Sequence, residues 1–225
     1  MSLFEEDLKK LKARILEMGG LVESAIKDSV RALTDRDDQL AEAVIKRDHV
    51  INALDVEIDE EAIKLIVRMQ PKGSDLRFIT TAMKITTDLE RMGDICVNIA
   101  ERALEINKEP ILKPYIDIPR MRELAQGMTR DALDAFMNKD QRLATDVIMR
   151  DDEVDDLKYG IIEELLSLMM LDPSKVSRGM KISFVAQYLE RIADHATNIA
   201  EMAIYLVVGK IIRHTAYAVE QNDKG

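Results

Sequence analysis

A stretch of thirteen residues in this chain recurs 100 positions later. The first copy reads Leu89-Glu90-Arg91-Met92-Gly93-Asp94-Ile95-Cys96-Val97-Asn98-Ile99-Ala100-Glu101. The second reads Leu189-Glu190-Arg191-Ile192-Ala193-Asp194-His195-Ala196-Thr197-Asn198-Ile199-Ala200-Glu201. Leu, Glu, Arg, Asp, Asn, Ile, Ala and Glu occupy matching places. Upstream, Arg47-Asp48-His49-Val50-Ile51-Asn52-Ala53-Leu54 corresponds to Arg150-Asp151-Asp152-Glu153-Val154-Asp155-Asp156-Leu157 at an offset of 103. A block that recurs with helical spacing is one structural unit used twice.

The spacing of apolar residues predicts helices. Ile85, Leu89, Met92, Cys96, Ile99, Ala103 and Ile106 alternate steps of four and three, as do Leu189, Ile192, Ala196, Ile199, Ala203 and Leu206. Ile51, Leu54, Ile58, Ala62, Leu65 and Met69 form a similar seam. Such seams bury one face of each helix against its neighbours. The prolines stand only at junctions: Pro71 and Pro173 interrupt long patterns, and Pro110, Pro114 and Pro119 crowd one segment. Proline in a helix interior costs about 3 kcal/mol, so these positions mark reversals or linkers. Two further reversals fall at Thr34-Asp35-Arg36-Asp37 and Met137-Asn138-Lys139-Asp140. Six helices are predicted, over 5–34, 38–70, 75–107, 119–137, 140–171 and 175–213. Short connections make antiparallel neighbours. The expected fold is all-α, with two tandem pseudo-symmetric three-helix bundles. Their expected bounds are 1–108 and 119–215, with a proline-containing linker at 109–118 and a C-terminal tail at 216–225.

Composition narrows the function classes. A net charge of −10 disfavours a phosphate backbone as partner. The single cysteine, Cys96, allows no intrachain disulfide and suits a reducing compartment. Its place among apolar helix positions predicts a small buried hydrophobe. No signal-peptide pattern opens the chain and no apolar run is long enough to span a bilayer, so a cytoplasmic protein is expected, reaching membranes only through partners. No helix carries Glu-x-x-His, no phosphate-cradling Gly-rich loop is present, and His49, His195 and His214 lack metal-site or triad spacing. His195, beside Asp194, remains a candidate supplement to a site there.

The duplicated polar residues form a carboxylate ladder. At 100° per residue, Glu90, Asp94, Asn98 and Glu101 share a stripe away from the apolar seam, and Glu190, Asp194, Asn198 and Glu201 repeat it. Reversal near Lys72-Gly73 brings Asp48 and Asn52 alongside the first stripe. Reversal near Ser174-Lys175 brings Asp151 and Asp155 alongside the second. Like charges four residues apart destabilise a helix by a few tenths of a kcal/mol. Two readings stand: a solvated polar face balanced by Arg91 and Arg191, or a cation site. All-oxygen donors suit magnesium, calcium, manganese or iron, with zinc also compatible.

At these residues the chain resembles the PhoU family of phosphate-uptake regulators. The matching stretches are Gln70-Pro71-Lys72-Gly73-Ser74-Asp75-Leu76-Arg77, Asp88-Leu89-Glu90-Arg91-Met92-Gly93-Asp94 and the second copy from Glu190 to Glu201, with the tail Tyr205 to His214. The resemblance implies two three-helix bundles, a homodimer and a non-enzymatic cytoplasmic role. That role is negative regulation of the phosphate-starvation response at high phosphate. Its implied partners are the ATPase of a phosphate ABC transporter and a sensor histidine kinase. It further implies metal clusters, iron first and then zinc, manganese or magnesium, on Asp48, Glu90, Asp94, Asp151, Asp155, Glu190 and Asp194. Because Asn52 stands where the second half has Asp155, the first site is expected to hold one carboxylate fewer. The Asp75-Leu76-Arg77 element has no copy after Pro173. The competing expectation is a metal-dependent enzyme or metal store built on the same carboxylates.

Overall fold

The structure is a computed structural model that describes residues 3–209. Among the described residues it is helical, without strands. The first repeat is α1 (Leu3–Thr34), α2 (Asp38–Met69) and α3 (Ser74–Ile106). The second is α4 (Asp117–Asn138), α5 (Gln141–Met149), α6 (Asp151–Leu171) and α7 (Val176–Val208), with a 3-10 turn at Pro173–Lys175 before α7. The last helix ends at Val208, short of its expected limit at 213, with Gly209 in left-handed backbone as its cap; the tail and His214 lie outside the described residues.

One turn design appears twice. Arg36 and Lys139 both adopt left-handed backbone, with φ of 57° and 56°. The aspartate after each caps the next helix: Asp37 accepts from the Leu40 amide and Asp140 from the Leu143 amide. A carboxylate there satisfies an orphan N–H and favours the positive end of the helix dipole. The two hairpin tips differ. The first reverses through Gln70 and Gly73, both at positive φ. The second uses Pro173 and the Asp172 side chain, which accepts from the Ser174 amide.

The helix expected over 140–171 is broken at Arg150, whereas its counterpart α2 runs unbroken through Arg47. The Arg150 guanidinium holds Asp131 of α4 at 2.6 Å and Asp146 of α5 at 3.1 Å. Asp151, Asp152 and Glu153 then form an acidic first turn, which suits a fresh helix N-terminus.

The three expected seams are buried; only Met69, at the end of α2, is half-exposed. Cys96 is fully buried, and burial pushes its thiol well above the ordinary range. The repeats are not independent bodies. α1 packs on α4, α3 packs on α7, and one apolar core runs through both. At this junction Phe78 of α3 stacks on Phe136 of α4, ring centroids 4.8 Å apart. Gly19 of α1 faces Leu133 of α4 so closely that an added Cβ would lie 2.4 Å from Leu133 Cδ1. No helix among the described residues is long and apolar enough to cross a membrane.

Candidate functional site

In the first repeat the α2–α3 edge gathers more acid than the sequence reading anticipated. Asp48, Asn52, Asp55 and Asp59 descend one face of α2 at steps of four, three and four, and Glu90 and Asp94 of α3 stand near Asp48 and Asp55. Gly93 allows this approach: a Cβ there would sit 3.1 Å from Asp48 Oδ1. The Asn52 amide donates to Asp48 Oδ2 at 2.9 Å. Asp48 Oδ1, Asn52 Oδ1, Asp55 Oδ1 and Asp59 Oδ1 are buried atoms with no hydrogen-bond partner. Native proteins leave few such atoms, and each calls for an ion, a water or a function.

The electrostatics agree. Burial raises the Asp48 carboxyl above its ordinary range; the Asn52 amide offsets part of this and the Asp94 charge adds to it. Asp55 is raised by burial and then by Asp59, partly offset by the Thr86 hydroxyl. Glu90 is raised by burial and then by Asp94, Asp55 and Asp48. Among the described residues no lysine or arginine pairs with Asp48, Asp55, Asp59, Glu90 or Asp94 within 4.0 Å. The first site thus holds five carboxylates. The expectation that Asn52 leaves it poorer than the second is corrected, because Asp55 and Asp59 compensate.

The second repeat places Asp151 and Asp155 of α6 opposite Glu190 and Asp194 of α7. Here a lysine intervenes. Lys158 occupies the position of Asp55, and its Nζ donates to Asp155 Oδ1 at 2.7 Å and Glu190 Oε1 at 3.0 Å. Burial alone would depress this ammonium, but the two carboxylates carry it above its ordinary value. Asp151, which Lys158 does not reach, is raised to about 6 by burial and by the charges of Asp194 and Asp155, partly offset by the Thr197 hydroxyl. Asp194 is raised by burial, then by Glu190 and Asp155.

All seven sequence-predicted acids therefore lie on two helix-pair edges, although no three acidic, histidine or cysteine groups among the described residues converge as a metal-holding set. His195 does not supplement Asp194: its Nδ1 lies 2.8 Å from Asp88 Oδ1, across the α3–α7 junction. The sequence reading missed Asp55, Asp59 and Lys158. The signal was available, since Asp55 and Asp59 continue the Asp48 face, and the offset of 103 that pairs Asp48 with Asp151 also pairs Asp55 with Lys158.

These shifts set a pH dependence for the metal-free protein. A carboxyl raised on folding contributes stability that is full below its unfolded pKa of about 4 and lost as pH rises through the folded value. For Asp151 that loss runs up to about 6. Chelator-treated protein is therefore expected to melt higher at pH 5 than at pH 7.5. Solvent screening reduces the Asp151 share to about 1 kcal/mol. Thermal melts of wild type and Asp151→Asn check this. Equal pH slopes in the two proteins would refute the assignment.

The PhoU domain pattern matches the chain twice, over residues 15–103 and 118–203. The "Phosphate-specific transport system accessory protein PhoU homolog" of Aquifex aeolicus is 45% identical over 214 residues, 95% of this chain and 96% of that protein. Its Pseudomonas aeruginosa namesake is 41% identical, over 94% of this chain and 88% of that protein. The crystal structure of PhoU from Pseudomonas aeruginosa aligns with a TM-score of 0.88 at 40% identity, covering 92% of this chain and all of that one. That of the phosphate transport system regulatory protein PhoU from Streptococcus pneumoniae aligns with a TM-score of 0.86 at 30% identity, over 92% of this chain and 98% of that one. With both repeats matched and whole-chain relatives at this identity, the chain belongs to the PhoU family.

Proposed function

We propose that this protein is a non-catalytic accessory regulator of phosphate uptake. In this reading it restrains the phosphate-starvation response when phosphate is plentiful, acting in the cytoplasm as a homodimer that couples the ATPase of a phosphate ABC transporter to a sensor histidine kinase. The observation that carries the reading is the match, across both repeats and nearly the whole chain, to accessory proteins of phosphate-specific transport.

The carboxylate edge of the first repeat enters as a cation site. The first repeat offers oxygen donors of the kind hard ions take: four of them are buried without partners, and no lysine or arginine pairs with its carboxylates among the described residues. Asp48 with Asp94, and Asp55 with Glu90, are the groups that would hold ions; Asp48 and Asp59 stand about 16 Å apart along α2 and would not share one. Iron is the first expectation, then zinc, manganese or magnesium. A bound ion would neutralise the crowded carboxylates. The chain's own residues set the rest: Asn52 orients Asp48, and Gly93 keeps α2 close to α3.

A clean deletion is expected to leave phosphate-starvation genes expressed at high phosphate, at a level approaching that of starved wild-type cells. A transcriptional reporter in high-phosphate medium checks this, with the full-length gene supplied in trans as control. Normal repression in the deletion strain, with no second copy of the gene, would remove the regulatory reading.

A further inference from the structure

We propose that Lys158 is a built-in counter-ion that takes the place of a metal in the second repeat, so that the chain binds divalent cations at its first repeat only. The two edges descend from one unit, yet they balance charge differently. In the first, five carboxylates crowd α2 and α3 with no lysine or arginine paired to them among the described residues, and four buried oxygens lack partners. In the second, an ammonium stands where Asp55 stands in the first.

The geometry of Lys158 is that of a bridging cation. The residue is 8% exposed, although it sits on the acidic edge of the fold. Its Nζ joins Asp155, three residues upstream on α6, to Glu190 on α7. A cation held between Asp55 and Glu90 would clasp α2 to α3 in the same way. A buried ammonium needs paired, hydrogen-bonded carboxylates to offset its lost hydration, and Lys158 has two. Those carboxylates are then unavailable as ligands, and a second cation placed beside them would be repelled by the ammonium. Asp151 and Asp194 remain, one half-buried and one exposed. Two carboxylates beside a fixed positive charge are a poor site for an ion that takes six or more oxygens.

This rests on the cation reading of the first repeat, and the test separates the two. Chelator-stripped full-length protein is titrated with Mn²⁺, and free Mn²⁺ is read by electron paramagnetic resonance. Circular dichroism tracks helix content in each variant. The expected result is that Glu90→Gln with Asp94→Asn abolishes Mn²⁺ binding, while Glu190→Gln with Asp194→Asn changes affinity less than twofold. Lys158→Asp, and independently Lys158→Gln, gain a further class of Mn²⁺ site at least tenfold tighter than any residual second-repeat binding in wild type. Adding Glu190→Gln and Asp194→Asn to either variant removes the gain. Wild type that binds no Mn²⁺, with a gain in the Lys158 variants, would overturn the first-repeat cation reading and keep the counter-ion role of Lys158. Loss of wild-type Mn²⁺ on changing Glu190 and Asp194 would overturn the proposal. So would Lys158 variants that fold and bind no more Mn²⁺ than wild type.

Discussion

Phe136→Ala is expected to lower the unfolding free energy by about 3–5 kcal/mol, the range for removing a fully buried phenylalanine. Phe136 is 0% exposed, and its ring lies 4.8 Å from that of Phe78, with 13° between the planes. The two rings belong to different repeats, and the far side of Phe78 is flanked by the Lys12 ammonium at 4.9 Å. Truncation removes the stacking contact and leaves a cavity that α1, α3, α4 and α7 cannot all close in on, because each is fixed by its other neighbours. The melting temperature should fall by roughly 10 °C for a chain of this length. Because the core is continuous across the repeats, urea unfolding followed by circular dichroism is expected to show one transition in wild type and variant alike. Two separate transitions in wild type would show that the repeats fold independently. A loss under about 1 kcal/mol would show that the junction contributes little.

His195→Leu is expected to cost about 2–4 kcal/mol, because it strands Asp88. Asp88 is 6% exposed, and the contact of its Oδ1 with His195 Nδ1, at 2.8 Å, ties α3 to α7. The greater part of the loss comes from leaving a carboxyl group buried without its partner, rather than from the hydrogen bond itself. Replacing both residues, Asp88→Leu with His195→Leu, should therefore lie closer to wild type than the single change does. A double-mutant cycle on unfolding free energies reads this directly, with an expected coupling above about 1 kcal/mol. Strict additivity would mean that the two side chains do not act as a pair. The clasp breaks the internal symmetry, since the corresponding positions are Tyr188 and Ile95. No comparison of the two repeats could have predicted it.

The helical seams, the repeat and the acidic stripes were all legible in the sequence. The reason is local: along one helix the angle between residues is set by the 100° step, so Glu90 and Asp94 must share a face whatever surrounds them. The doubled turn at Arg36-Asp37 and Lys139-Asp140 is local in the same sense, since an aspartate cap needs only the next turn of its own helix. What crosses from one helix to another was not so determined. Tertiary packing set the rotation of α2 that turns Asp55 toward Glu90. It seated Lys158 between Asp155 and Glu190, and it paired Arg150 with Asp131 where the single expected helix is interrupted between α5 and α6. It also sent His195 to Asp88 rather than to Asp194, its neighbour in the chain. Partners across helices depend on register and rotation, which no helix sets alone. They were decided when α1 met α4 and α3 met α7 around one shared core.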